Sequence, residues 1–122
     1  MSLAKYTCAC CGYRTLRRKP GNYDICHVCF WEDDPVQLLD PWYRVGANNV
    51  SLEAAQRSFL EIGVSEAQFK ANVKGVLPRD VRDPTWRPVR EEDRKWATTP
   101  AKLQRERPDG PWQWYYWQRN DD

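Results

Sequence analysis

The chain has 122 residues, of which 41% are hydrophobic and 30% are charged, and its formal net charge is only +2. This near-neutral charge argues against a nucleic-acid binder with a strongly basic face, and no apolar run approaches the roughly 18–20 residues of a membrane span. The first residues lack the apolar stretch of a secretory signal, so we expect a cytosolic protein, in which clustered cysteines are metal ligands or redox groups. We also expect a single domain, 1–122, whose modest core needs a further source of stability.

The predicted fold class is α+β: a small zinc-ribbon-like antiparallel module, two short helices and a C-terminal aromatic strand. The module, residues 4–46, contains all five cysteines and the single histidine. Short strands are predicted at 13–16 and 23–25, joined by the turn formers Pro20, Gly21 and Asn22. The two prolines between residues 33 and 41 predict a loop with at most one helical turn.

The segment 51–74 carries the helical signals. Ser51 is a good N-cap, apolar residues recur at helical spacing, and Gly63 ends the run. A second helix is predicted from Ser65 to near Gly75, because Ser65 and Gln68 match a capping box, with Val64 and Phe69 as its hydrophobic staple. Both apolar stripes are interpreted as core.

Residues 76–122 mix prolines with charges of both signs and are predicted to be extended. Within them, "PWQWYYWQR" at 111–119 is predicted to form one β-strand. Its two faces would carry Trp112, Trp114 and Tyr116 on one side, and Tyr115 and Trp117 on the other.

The cysteines form two C-x2-C pairs, Cys8 with Cys11 and Cys26 with Cys29, separated by fourteen residues. Two such knuckles brought together present four thiolates at tetrahedral corners, which is the arrangement that zinc prefers. Four protein ligands leave no position for water, so we predict one structural Zn²⁺ per chain and no chemistry at it. Gly12, directly after the second cysteine, suits the positive φ of a knuckle.

Two residues inside the knuckles leave alternatives open. Cys10 is interpreted as a small buried hydrophobic residue, although it could replace Cys11 as a ligand, and His27 is interpreted as a surface or outer-sphere residue. A thiol–disulfide exchange site is a weaker alternative, because neither pair lies in a βαβ pattern.

Two further stretches suggest surfaces. "FWEDD" at 30–34 is either a solvated acidic loop beside the metal or an acidic rim that docks on a partner. The aromatic tail either completes the core, binds a protein partner or stacks nucleic-acid bases. The predicted partner-binding residues are Trp31, Glu32, Asp33, Asp34, Trp114 and Trp117.

The strings "KYTCACCGYRTL", "GNYDICHVCFWEDDPVQLLDP" and "YRVGANNVSLEAAQRSFLEIGVSE" resemble the bacterial cysteine-rich CPCC family, over roughly residues 5–68. The sequence departs from the family's namesake motif at Ala9, where the family has proline, but all four ligands remain. The resemblance implies zinc at Cys8, Cys11, Cys26 and Cys29. It also implies an association with toxin loci, where small cytosolic proteins serve as immunity partners.

These observations lead to a non-enzymatic, zinc-stabilised protein-binding module as the expected function. Its expected form is an immunity protein that sterically blocks a cognate bacterial toxin, with no membrane and no small-molecule substrate involved. The alternative is a zinc-ribbon nucleic-acid-binding or transcription-associated factor that uses Arg14, Arg17, Arg18, Lys19 and the aromatic tail. An enzyme with a reactive Cys10 ranks third.

Overall fold

The computed structural model describes residues 6–108 and 110–119. Three α-helices lie in this part of the chain: α1 (Pro35–Leu39), α2 (Leu52–Ile62) and α3 (Pro100–Arg105). Four short 3₁₀ helices accompany them, at Ala67–Asn72, Glu91–Trp96, Pro111–Trp114 and Tyr116–Gln118. None of the described helices is both long and apolar enough to cross a membrane.

Helix α2 confirms its sequence prediction at both ends. The Ser51 hydroxyl accepts a hydrogen bond from the Ala54 N–H, and Gly63 ends the helix in the left-handed region with φ of 81°. Helix α1 also agrees with the single turn that was expected. It begins because the Asp34 carboxylate accepts hydrogen bonds from the N–H groups of Val36 and Gln37, while Pro35 occupies the first turn.

The second predicted helix differs from the expectation. Ala67–Asn72 is a 3₁₀ helix that follows Glu66 and has no side-chain cap. The reason is tertiary: Ser65 is buried and its N–H donates to the Cys29 carbonyl, so Ser65 is held at the second knuckle. Gln68 donates to the Glu66 carboxylate and completes no capping box.

The prediction of an α+β fold is wrong, because residues 6–108 and 110–119 contain no β-strand and no sheet. The predicted strands at 13–16 and 23–25 are reduced to isolated antiparallel bridges, Tyr6 with Leu16, Tyr13 with Arg82 and Ile25 with Glu32. Each knuckle reverses the chain tightly, and the segments on either side of it form one bridge with each other, Tyr6 with Leu16 and Ile25 with Glu32.

The predicted C-terminal aromatic strand is also wrong, because two 3₁₀ helices occupy this stretch. Trp114, Tyr115 and Tyr116 are all buried. A strand would have placed alternate residues on opposite faces. Here one residue with extended backbone, Tyr115, separates the two 3₁₀ helices, and all three rings enter one core. The predicted face of Trp112 concerns a side chain outside the described part of the structure.

The segment after residue 80 packs onto the first knuckle. The Trp86 indole N–H donates to the Ala9 carbonyl over 2.9 Å, and the Tyr115 hydroxyl donates to the Thr7 carbonyl over 2.9 Å. Gln56 of α2 joins the same region, donating to the Ala9 carbonyl and to the Tyr116 hydroxyl. The cysteines and the buried aromatic rings therefore form one core cluster.

Candidate metal centre

The two C-x2-C stretches adopt the same local structure. In the first, the Cys8 carbonyl accepts a hydrogen bond from the Gly12 N–H over 2.8 Å, and the Cys8 N–H donates to Tyr13. In the second, the Cys26 carbonyl accepts from the Phe30 N–H over 2.8 Å, and the Cys26 N–H donates to Trp31. Gly12 and Phe30 both have positive φ, 81° and 69°. Each stretch is therefore a tight knuckle that directs its two sulfurs to the same side.

The knuckles bring four sulfurs together. The Sγ atoms of Cys8 and Cys29 lie 3.6 Å apart, and those of Cys11 and Cys26 lie 3.7 Å apart. All four Sγ atoms lie within 4.8 Å of one another, and all four residues are buried. The predicted ligand set of Cys8, Cys11, Cys26 and Cys29 thus forms one cluster.

These distances fit a metal rather than disulfides. A disulfide bond measures about 2.05 Å, and all five cysteines are free. Four sulfurs placed about 2.3 Å from a central tetrahedral ion would be separated by about 3.8 Å. The Cys8–Cys29 and Cys11–Cys26 separations, 3.6 and 3.7 Å, are close to that edge length. The residues present therefore fit a four-coordinate metal ion.

The electrostatics of the cluster also favour a cation. Burial raises the pKa of the Cys8, Cys11 and Cys29 thiols well above the ordinary value, and hydrogen bonds among the thiols add to this. Burial acts in the same direction on Cys26, but hydrogen bonds to its sulfur from the other three cysteines and Thr15 lower its pKa overall. Four buried thiolates need a positive ion to compensate them.

Groups around the ligands orient the Cys26 sulfur. The Thr15 hydroxyl donates to it over 3.0 Å, and the Val28 N–H over 3.4 Å. Such outer contacts fix the ligand geometry and tune the metal. Sequence reasoning missed Thr15, since a hydroxyl between two turns carries no distinguishing signal.

The structure places the two inner knuckle residues outside the cluster. Cys10 is buried but does not belong to the group of mutually close sulfurs, which includes Cys11. His27 is partly exposed, and its Nε2 lies 2.8 Å from the Asp80 carboxylate. The ligand substitutions left open by the sequence thus find no support in the geometry.

Most of the predicted partner-binding residues are buried. Trp31, Asp33, Asp34 and Trp114 are at most 7% exposed, so the acidic rim predicted for "FWEDD" is corrected. Asp33 accepts from the Gly21 N–H over 2.8 Å, and Asp34 caps α1 and also accepts from Ala47. These carboxylates hold the fold together and have no surface for a partner.

Glu32 and Trp117 are the predicted partner-binding residues that stay half-buried. The backbone of Glu32 exchanges hydrogen bonds with the Asn48 side chain. Trp117 stacks on Tyr115 with ring centroids 4.4 Å apart, and its indole N–H donates to Thr85. Both residues can contact a partner only with part of their surface.

The basic residues of the first knuckle occupy different environments. Arg14 lies 3.5 Å from the Asp83 carboxylate and Arg18 lies 2.6 Å from that of Asp24, while Lys19 is exposed. Arg17 lines a cavity of about 270 Å³ together with Lys74 and Arg79. Sequence reasoning missed the last two, because they come from a segment that only the fold brings to the knuckle.

Comparison with known proteins gives one family. The family described as cysteine-rich CPCC matches residues 6–80, which include both knuckles, α1 and α2. No curated protein matches the chain.

Proposed function

The chain belongs to the cysteine-rich CPCC family, and from this premise and its metal centre we propose a zinc-stabilised protein that acts by binding a partner. The observation that carries the proposal is the closed cluster of four buried cysteine sulfurs. An all-sulfur tetrahedral site is typical of structural zinc, and it leaves no coordination position for substrate or water. The role of the metal is then to stabilise the fold, and we propose no catalytic role for the chain.

Zinc is the ion that we propose, and metal analysis with native mass spectrometry tests it. We expect one zinc per chain and loss of the folded state on chelation, because metal binding supplies folding free energy to a small core. Cys11→Ala should abolish zinc binding, whereas Cys10→Ala, one position earlier in the same knuckle, should retain it. Iron in the site, or disulfides without metal, would refute the proposal.

The partner that the family resemblance favours is a protein, and specifically a toxin that this chain would neutralise by covering it. The contact surface cannot use the buried carboxylates, so we propose that it uses Glu32, Trp117 and exposed apolar side chains. One of these is Leu60 on α2, which is 66% exposed. Co-expression of this chain with the neighbouring gene in a bacterial host tests the proposal. The chain should protect the growth of the host from the toxic gene product, and this protection should fall for Leu60→Asp but not for Glu61→Gln. Failure of the unaltered protein to restore growth would contradict the proposal.

Nucleic-acid binding is a second candidate, and one observation favours it. Arg17, Lys74 and Arg79 line the same small cavity beside the second knuckle. Asp24, which also lines that cavity, is already bound by Arg18 and by two backbone N–H groups. The cations of this surface are therefore only partly compensated, which is a feature of phosphate-binding surfaces.

A salt titration with single-stranded RNA tests this second candidate. Arg17→Gln with Arg79→Gln should lower the slope of log affinity against log salt by about 1.4, at roughly 0.7 for each phosphate that the variant no longer neutralises. Arg44→Gln with Arg105→Gln removes the same charge from other parts of the chain and serves as the control. Equal decreases in both pairs would indicate only a net-charge effect.

A further inference from the structure

A second cavity, of about 590 Å³, lies between the end of α1, α3 and the C-terminal 3₁₀ helices. Its volume is in the range of ligand-binding pockets, roughly 300–1,000 Å³. Apolar side chains form part of its lining, among them Leu39, Trp96 and Leu103. The residues that line this cavity include none of the four clustered cysteines.

The charged groups of this cavity are mainly positive. Lys102 and Arg119 line it, and Glu106 is the one acid among its described lining residues. Lys95 also lines it but already has a partner. The Lys102 ammonium and the Glu106 carboxylate are 4.0 Å apart and both side chains are more than half exposed, so this ion pair is weak and Lys102 can bind another anion. With Lys95 left aside, the two cations Lys102 and Arg119 face one described acid in the cavity.

Arg119 is a charged lining residue whose hydrogen bonds go to backbone carbonyls. Its guanidinium donates to the carbonyls of Leu39, Gln113 and Trp114, at 2.7, 3.2 and 3.2 Å, and stacks over the Trp96 ring with 4.7 Å to the centroid. No carboxylate of the described residues forms an ion pair with it. Burial lowers the pKa of Arg119 to about 10, and the negative charges of Asp40 and Asp93 only partly oppose this shift.

The carboxylates close to Arg119 are already engaged elsewhere. Asp40 accepts hydrogen bonds from the N–H groups of Trp42 and Thr98, each with a distance of 3.0 Å. Asp93 is bound by the Arg87 guanidinium at 2.8 Å. The Nε and Nη2 atoms of Arg119 donate to the three carbonyls, which leaves its Nη1 atom for a ligand. An anion with two oxygens can accept from Nη1 with one oxygen and from the Lys102 ammonium with the other, and both hydrogen bonds are charge-assisted.

We propose that this cavity binds a carboxylate carried on an apolar group, with the carboxylate at Arg119 and Lys102 and the apolar group against Trp96, Leu39 and Leu103. The ligand is either a small free acid or the C-terminal residue of a peptide, since both present the same chemistry. The inference goes beyond the zinc-dependent scaffold proposed above, and its failure would leave the metal proposal standing.

Isothermal titration of the zinc-loaded protein with 4-phenylbutyrate tests the site. We expect saturable binding, and binding of the uncharged 4-phenylbutyramide at least about ten-fold weaker, because the amide cannot form the charge-assisted hydrogen bonds. Lys102→Gln should weaken 4-phenylbutyrate binding by roughly three- to ten-fold, as expected for the removal of one such hydrogen bond. Arg105→Gln, on the same helix but outside the cavity lining, should leave it within about two-fold.

Three results would each overturn the proposal: equal affinities for the acid and the amide, equal decreases in affinity in the two variants, or the absence of any saturable binding. A tetrapeptide, Gly-Gly-Leu-Phe, with a free or an amidated C-terminus identifies the source of the carboxylate. If the free peptide acid binds more tightly than 4-phenylbutyrate, the site recognises a chain end; if it binds more weakly, the site recognises a small acid.

Discussion

At the scale of single residues, the two knuckles depend on backbone conformations that side chains resist. Gly12 occupies the left-handed region, as its position after a cysteine pair predicts. The structure adds a second constraint, because a Cβ atom on Gly12 would lie 2.8 Å from Cδ2 of Trp86. Phe30 accepts the same conformation without being glycine, and its ring packs against Phe69 at 4.6 Å between centroids.

Replacing Gly12 by alanine is therefore expected to cost more than the backbone strain alone. The left-handed conformation costs a residue with a Cβ about 1–2 kcal/mol, and forcing Cβ against the Trp86 ring adds about 1–3 kcal/mol. Gly63→Ala is the matched control, since Gly63 has the same φ of 81° and nothing within 4 Å of an added Cβ. Denaturant unfolding of both zinc-loaded variants measures the difference, and equal destabilisation would show that Trp86 does not pack on the knuckle.

Asp33 is a buried acid whose ionisation opposes folding. One of its oxygens accepts from Gly21, while the other has no partner. Burial raises its pKa to about 7, and the hydrogen bond from Gly21 only partly opposes this shift. The aspartates of unfolded chains titrate near about 3.9. The stabilising contribution of protonated Asp33 is thus fully present below about pH 4 and lost as the pH rises to about 7.

Asp33→Asn should remove this pH dependence. We expect the free energy of unfolding of the variant, relative to the unaltered protein, to rise between about pH 5 and pH 7 by up to roughly 1.4 kcal/mol per pH unit. Asp93→Asn is the control, because burial would raise the pKa of Asp93 but hydrogen bonds from Arg87 and Arg90 hold it below its usual value, and Asp93 is not among the groups that shift Asp33. Its profile should run parallel to that of the unaltered protein over this window. Parallel profiles for both variants would contradict the raised pKa of Asp33.

At the scale of elements, the sequence predicts an element correctly where its hydrogen bonds join residues that are close in the sequence. Helix α2 carries its cap at Ser51 and its stop at Gly63, and both lie where the sequence predicts them. The clustering of the four cysteines was predictable for the same reason, since each C-x2-C knuckle is closed by hydrogen bonds between residues close in the sequence, such as Cys8 and Tyr13.

Elements whose structure depends on distant partners could not be predicted in this way. The Ser65 capping box fails because the Ser65 N–H is taken by the Cys29 carbonyl, 36 positions earlier in the sequence. The aromatic tail does not form a strand because distant partners hold its tyrosines. The Tyr115 hydroxyl is hydrogen-bonded to Thr7, and the Tyr116 hydroxyl to Gln56 and Arg87. Nothing in the local sequence indicates that Asp34, just after the second knuckle, caps α1 and also binds Ala47 in the loop at 46–50.

At the scale of the whole molecule, the four-cysteine cluster and the aromatic tail belong to one packed core. The family match ends at residue 80, yet Asp83, Trp86 and Tyr115 all bond to the residues of the first knuckle or next to it. If the ligands converge only in the folded chain, the free energy of metal binding includes that of folding. A substitution in the tail that destabilises the fold must then weaken metal affinity by a similar free energy.

Tyr115→Phe gives the sharpest test of this coupling, since it removes one hydroxyl from a buried ring 107 positions from Cys8. The substitution leaves the Thr7 carbonyl without that donor, which costs about 1–3 kcal/mol. Because each 1.4 kcal/mol corresponds to a factor of ten, zinc affinity measured by chelator competition should fall by roughly five- to a hundred-fold. Tyr23→Phe, on a ring that is 48% exposed, should leave the affinity unchanged. A destabilised Tyr115→Phe protein with unaltered zinc affinity would mean that the two knuckles assemble their site without the tail.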